Sequence, residues 1–185
     1  MEISFTPFPD LETDRLLLRQ ISLDDDKEIF FLRSDSGVLK HIKRAPAKSM
    51  DEAREWINTI TENIRKNEAI IWAITLKGDP KLIGNIILWK MRPEHFRAET
   101  GYMLHPDFQR KGIMNEALAV VLDYAFHKLG FHSIEALVDP ENPASIRLLE
   151  KNNFVREAYY KEDFFFDGEF LDTAVYSLLK KNWNK

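Results

Sequence analysis

The amino-acid sequence predicts a mixed α/β protein: a central, mostly antiparallel sheet flanked by helices. Three observations carry this. Strand-like segments come in pairs joined by turn residues, a single strand-loop-helix crossover separates the pairs, and amphipathic helical stretches lie on either side of it. The implied order is β-α-α-β-β-β-α-β-α-β-β. No internal repeat, low-complexity tract or long linker divides the chain, so residues 1–185 are read as one domain.

Arg15-Leu16-Leu17-Leu18-Arg19 is a short apolar run flanked by charge and reads as the first strand. Ser22-Leu23-Asp24-Asp25-Asp26 reads as a helix start, with a capping serine and acids suited to the positive end of the dipole. From Asp51 to Lys66, Ala53, Trp56, Ile57, Ile60 and Ile64 recur at helical spacing. Three strands follow at Ala69-Thr75, Leu82-Lys90 and Arg97-Leu104. Lys77-Gly78-Asp79-Pro80 supplies turn chemistry between the first two.

After Gly112 the period changes. Ile113, Ala117, Leu118, Val121, Leu122, Ala125 and Phe126 mark a helix that ends before Gly130. Ile134-Val138 reads as a buried strand and Pro143-Lys151 as a helix. The stretch from Phe154 to Leu179 reads as two strands around Asp167-Gly168, a dipeptide favoured in tight hairpins.

Composition narrows the function. With 44% hydrophobic and 30% charged residues the chain has the balance of a globular protein. No apolar run reaches the roughly 18 residues that span a bilayer, and the N-terminus lacks a secretory pattern, so a cytoplasmic location is expected and no membrane. The absence of cysteine removes disulfides, thiolate metal sites and a cysteine nucleophile. A net charge of -4 speaks against sequence-independent nucleic-acid binding. The basic run Lys40-His41-Ile42-Lys43-Arg44 is read as a solvated loop.

The informative stretch runs from Glu99 to Leu118, where a strand enters a short loop that opens onto a long helix. The first N–H groups of a helix lack partners within it, and the dipole adds partial positive charge there, so a phosphate satisfies both. Gly112 lets backbone amides close on a bulky diphosphate, and Arg110 and Lys111 add countercharge. One glycine at a helix start is common, so this pattern alone does not name a ligand.

Gln109-Arg110-Lys111-Gly112-Ile113-Met114 resembles the Q/R-x-x-G-x-G/A loop of the GNAT superfamily of N-acetyltransferases. Asn142 to Phe154 resembles its second coenzyme A segment. Thr13 to Arg19 and Tyr176 to Trp183 resemble the RimJ/RimL branch, which acetylates N-terminal amines of ribosomal proteins. These segments fall in order from about residue 12 to residue 183, so the resemblance spans nearly the whole domain.

The resemblance implies a GNAT-type acyl-CoA N-acyltransferase fold with a splayed sheet, acetyl-CoA as cosubstrate and no metal. The backbone of Tyr102, Met103 and Leu104 is expected to pair with the pantetheine arm. The loop Gln109, Arg110, Lys111, Gly112, Ile113, Met114 and Asn115 is expected to hold the pyrophosphate through its amides. Asn142 is expected to reach the cofactor from across the splay. Met114 stands where the loop motif has glycine or alanine, a substitution that backbone binding of phosphate tolerates. A homodimer is common in the branch and is a possible state here, one that the sequence itself leaves open.

Acetylation requires an amine stripped of its proton. Side-chain amines sit near pKa ~10.4 and α-amines near ~7.7–8.0, so an N-terminal amine asks less of a base. Glu99 is the candidate base, through water or after a burial shift; the alternative is a strand-edge glutamate paired with Arg97 or another cation. Where many GNAT enzymes place a proton-donating tyrosine this chain has Leu149, and the resemblance points instead to Ser145, whose alternative role is helix capping.

The five histidines form no metal pattern, and His105 is read as structural. Tyr102, Tyr159 and Tyr160 either line an acceptor channel or pack. The leading function is transfer of acetyl to a protein N-terminus. Its rivals are a small-amine acetyltransferase for a polyamine, amino acid or antibiotic, a coenzyme A sensor without turnover, and a peptide-binding module.

Overall fold

In the computed structural model, which describes residues 3–183, the strand-like segments join one sheet. The strands are β1 (Leu11–Glu12), β2 (Leu16–Gln20), β3 (Ile70–Leu76), β4 (Leu82–Arg92), β5 (Arg97–Leu104), β6 (Ser133–Val138), β7 (Val155–Phe166) and β8 (Glu169–Leu179). Their spatial order is β1-β2-β3-β4-β5-β6-β8-β7. Every neighbouring pair is antiparallel except β5 and β6. The helices are α1 (Asp26–Ser34), α2 (Ser36–Leu39), α3 (Met50–Arg65), α4 (Ile113–Asp123) and α5 (Pro143–Lys151). Among the described residues no helix is long and apolar enough to cross a membrane.

Local chemistry explains the elements. In β3, six residues from Ile70 to Thr75 are buried, as suits a β-branched central strand covered on both faces. The Ser49 hydroxyl caps α3 by accepting the Glu52 N–H at 3.3 Å, and Ala53, Ile57, Ile60 and Ile64 face the core. Asp167 and Gly168 both take positive φ (50° and 87°), the conformation of a tight hairpin turn that follows the sheet twist.

The short strand β1 and the short helix α2 are absent from the sequence reading, and three further local features differ from it. The start at Ser22 is a short 3₁₀ turn, and Asp25 there is buried. Its carboxylate accepts the Ser22 N–H at 2.9 Å and pairs with Arg19 at 2.7 Å, so it ties helix to strand. The helix after Gly112 widens into a π turn over Tyr124–Lys128, which keeps Ala125 and Phe126 in the core. The basic run is not a solvated loop. Its His41 Nδ1 lies 2.8 Å from Asp139 Oδ2, and Lys43 donates to the Asp172 carbonyl on β8, so the run is strapped across the loop after β6.

The parallel pair matters most for function. β5 and β6 register only at Arg97↔Ser133, Ala98↔Ile134 and Glu99↔Glu135. Beyond Glu99, β5 stays bonded to β4 as far as Leu104, while β6 stays bonded to β8 as far as Val138. The two strands therefore part, and each follows its outer neighbour. Gly84 on β4 lets the end of β5 lean outward: a Cβ there would lie 2.6 Å from the Met103 carbonyl and 2.9 Å from the Leu104 side chain. Gly84→Ala is expected to destabilise the fold by about 1–3 kcal/mol through overpacking. Urea unfolding measures this, and a change under about 0.5 kcal/mol, typical of a neutral surface site, would show that the approach is not tight.

Candidate active site

The gap between β5 and β6 leads to the loop before α4. Gln109 closes the loop over the strand end, donating from Nε2 to the Leu104 carbonyl at 3.2 Å. Arg110 and Gly112 both take positive φ (60° and 76°), which turns the chain sharply into α4. A Cβ on Gly112 would meet only Arg15 at 3.5 Å, so this glycine answers a backbone demand and not a shortage of space. The helical ladder begins with Glu116 N–H bonding the Gly112 carbonyl at 3.1 Å. The N–H groups of Gly112, Ile113, Met114 and Asn115 therefore precede it and mark the anion-seeking end of the helix. Ile113 and Met114 turn their side chains into the core, so the methionine does not cover those amides.

A clamp from the other end of the sequence holds this loop. Arg15 pairs with Glu116 on α4 at 2.6 Å and donates to the Lys111 carbonyl at 3.1 Å. Thr13 and the Arg15 N–H both donate to Glu116 Oε1. Burial pushes the Glu116 carboxyl up, but the hydrogen bonds from Thr13 and Arg15 outweigh it and hold the group below its ordinary range. A depressed carboxyl pKa gives stability that is present above the unfolded value and lost as pH falls through the folded one. The clamp is thus an acid-sensitive support at neutral pH fully formed.

Across the gap, α5 begins at an Asn142 cap whose Oδ1 accepts the Ser145 N–H at 3.0 Å. Asp139 shapes the approach: its carbonyl accepts from Asn142 N–H and its Oδ1 from Glu141 N–H, both at 2.9 Å, while Oδ2 meets His41. The Ser145 hydroxyl lies 2.6 Å from the Tyr102 hydroxyl on β5. This contact bridges the parted strands. Deeper in, Asn152 is fully buried and donates to Asn115 Oδ1 at 3.1 Å, tying α5 to α4. Leu149 is buried in the core.

Glu99 occupies the last paired position before the gap. Its carboxylate is buried and lies 2.9 Å from the half-exposed Lys90 ammonium. Arg97 instead pairs with Glu135 on β6 at 3.0 Å, joined there by Arg92. Strand alternation sends Glu99 and Tyr102 to opposite faces of β5. The gap is thus flanked by a carboxylate on one face and two hydroxyls on the other.

Other sequence candidates play local parts. His105 Nδ1 accepts the Asp107 N–H at 3.2 Å, and its ring stacks on Phe31 with centroids 4.4 Å apart. Tyr159 is exposed and donates to Asp172 at 2.6 Å, and Tyr160 is exposed on β7. Among the described residues no group of three or more His, Asp or Glu could hold a metal ion. The clamp residues Thr13, Arg15 and Glu116 and the partner role of the Tyr102 hydroxyl escaped the sequence reading. Thr13 and Arg15 lie at the start of a segment read as a strand and as similar to a family branch, with no role given to their side chains.

A sheet that parts beside an open helix start is the architecture of an acyl-CoA N-acyltransferase. The family of the acetyltransferase (GNAT) domain matches residues 15–155. An uncharacterized N-acetyltransferase of Bacillus subtilis, YoaA, is 36% identical over 173 residues, covering 94% of this chain and 98% of that protein. The spermidine N(1)-acetyltransferase of Vibrio cholerae is 30% identical over 173 residues, covering 92% and 97%. The crystal structure of a ribosomal-protein alanine acetyltransferase from Vibrio fischeri superposes with a TM-score of 0.83 over 96% of this chain and 100% of that one, at 23% identity, which shows a shared fold. The chain belongs to the GNAT family and is an N-acetyltransferase.

If the clamp supports the loop, Glu116→Ala is expected to weaken coenzyme A binding about tenfold, or ~1.4 kcal/mol. Isothermal titration reads the change, with an unaltered circular-dichroism spectrum as the control for folding. Unchanged affinity would remove the clamp from cofactor binding.

Proposed function

We propose that the chain transfers the acetyl group of acetyl-CoA to the N-terminal amine of a protein, by direct attack with both substrates bound. The observation that carries this reading is the gap between β5 and β6, with the loop Gln109–Asn115 at its mouth and Ser145 on its far wall. The edge of β5 from Tyr102 to Leu104, released from β6, offers backbone groups to an extended pantetheine chain as a neighbouring strand would, although the Leu104 carbonyl already accepts from Gln109. The amides of Arg110 to Asn115 meet the pyrophosphate, and Arg110 and Lys111 supply countercharge. Asn142 keeps α5 in place through its cap and faces the cofactor with the rest of its amide.

The thioester supplies an activated acetyl carbon, and the protein's part is to deliver an amine and manage two charges. Glu99 takes the proton of the incoming ammonium, directly or through water. Lys90 holds that carboxylate in the absence of acceptor and, being half exposed, can give way to an ammonium. Ser145 donates a hydrogen bond to the departing sulfur. Because Glu99 and Tyr102 lie on opposite faces of β5, the amine approaches from one side and the leaving group is met from the other.

An α-amine, with pKa near ~7.7–8.0, needs far less help than a lysine-like amine near ~10.4. That difference favours a protein N-terminus for a site whose carboxylate is already occupied by a cation. One finding supports a second reading, the likeness to a spermidine acetyltransferase over nearly the full length of both chains. The two separate on substrate. Thiol release from acetyl-CoA is expected with short N-terminal peptides and not with spermidine or free amino acids; the reverse preference would select the small-amine reading.

The residue roles are tested by kinetics. Glu99→Gln is expected to lower kcat about a hundredfold below pH 8, with partial recovery as the amine deprotonates on its own. A kcat that stays near the parent value across the pH range would show that Glu99 serves only its pair with Lys90.

A further inference from the structure

We propose that Tyr102 is a positioning residue: its hydroxyl donates to Ser145 and thereby aims the serine O–H at the sulfur of the leaving group. This rests on the reading of Ser145 as the donor to that sulfur. It assigns to the Tyr102 side chain a role separate from the backbone pairing expected of the same residue.

The geometry sets up the arrangement. Tyr102 lies on β5 beyond the point where its pairing with β6 stops, and Ser145 lies in the first turn of α5, which follows β6. Their oxygens are 2.6 Å apart, a short hydroxyl pair. The Ser145 backbone N–H is committed to Asn142, which fixes the start of the side chain but leaves its hydroxyl free to rotate. Something must choose the direction of that O–H.

A phenol is a stronger acid than an aliphatic alcohol and is therefore the better donor of the two. Burial pushes the Tyr102 phenol up to about 12, so it keeps its proton at every working pH. With the phenol O–H pointing at Ser145, the serine oxygen acts as acceptor in that bond and its own proton is left for another partner. Two hydroxyls bonded in series also polarise each other, which strengthens the outer donor. Across the gap, the outer partner is the atom that gains negative charge when the carbon–sulfur bond breaks. No proton need leave Tyr102 for this.

A purely structural rivet between β5 and α5 would use the same bond, so the test is a double-mutant cycle on turnover. Tyr102→Phe is expected to lower kcat about tenfold, the worth of one buried hydrogen bond, with KM for acetyl-CoA little changed. In a Ser145→Ala background the same change is expected to have no further effect. In a Ser145→Thr background, where a hydroxyl is restored, the loss is expected to return. An equal loss from Tyr102→Phe with and without the Ser145 hydroxyl would overturn the proposal while leaving Ser145 in the mechanism. Ser145→Ala with undiminished kcat would instead remove the reading of Ser145. If Tyr102→Phe does not fold, NMR of the Tyr102 ring decides: its shift must change on Ser145→Ala, and an unmoved resonance refutes the bond.

Discussion

Beyond Glu99 the backbone of β5 has a choice of neighbours, and it keeps β4. The bonds to β4 continue to Leu104, those to β6 end at once, and β6 in turn stays with β8. A buried strand edge without partners is costly in a folded protein, because each unmet N–H or C=O forfeits the hydrogen bond it had in water. Here the parted stretch of β5, Gly101 to Leu104, is only half buried, and Gln109 meets the Leu104 carbonyl, so the cost is reduced. The rest of the site follows from that concession. The loop after β5 bonds back to the strand end and opens onto the first turn of α4, while Ser145 in the first turn of α5 reaches Tyr102 across the gap.

Holding such a gap open requires ties elsewhere, and they come from distant parts of the sequence. Glu116 receives Thr13 and Arg15 from the chain's opening segment, about a hundred residues away. Asn152 joins Asn115, and Asp139 joins His41 on the strap that crosses from the helical side. These contacts carry little individual energy where exposed; Arg15 is about half exposed, and surface ion pairs are screened. Their effect is on shape. Each fixes one wall of the gap relative to another, so the loop before α4, the Asn142 turn and the strap keep a common frame.

Periodicity and turn chemistry made most of the fold legible. Strand, helix and hairpin boundaries fall within a few residues of those read from the sequence, because apolar spacing and Gly78 or Asp167-Gly168 act locally. The splay was legible only by family resemblance. A strand's pattern states that it is buried but not which neighbour it abandons; that depends on close approaches such as Gly84 to Met103. The loop at Gly112 could be found because a helix start and a positive-φ glycine are local. The clamp, the Tyr102–Ser145 contact and the Lys90 partner of Glu99 could not, since each joins residues whose proximity is created by folding. The basic run at Lys40–Arg44 shows the same limit: its composition suggests solvent, and its place in the fold supplies acceptors on β8 and the loop after β6.

In the proposed complex acetyl-CoA lies as a substitute strand along β5 with its pyrophosphate on the start of α4. Amide hydrogen exchange, followed by mass spectrometry with and without acetyl-CoA, addresses it directly. Slowed exchange is expected mainly in residues 100–104 and 110–115, where backbone groups gain partners. Saturating acetyl-CoA that leaves both segments exchanging at their original rates would contradict it.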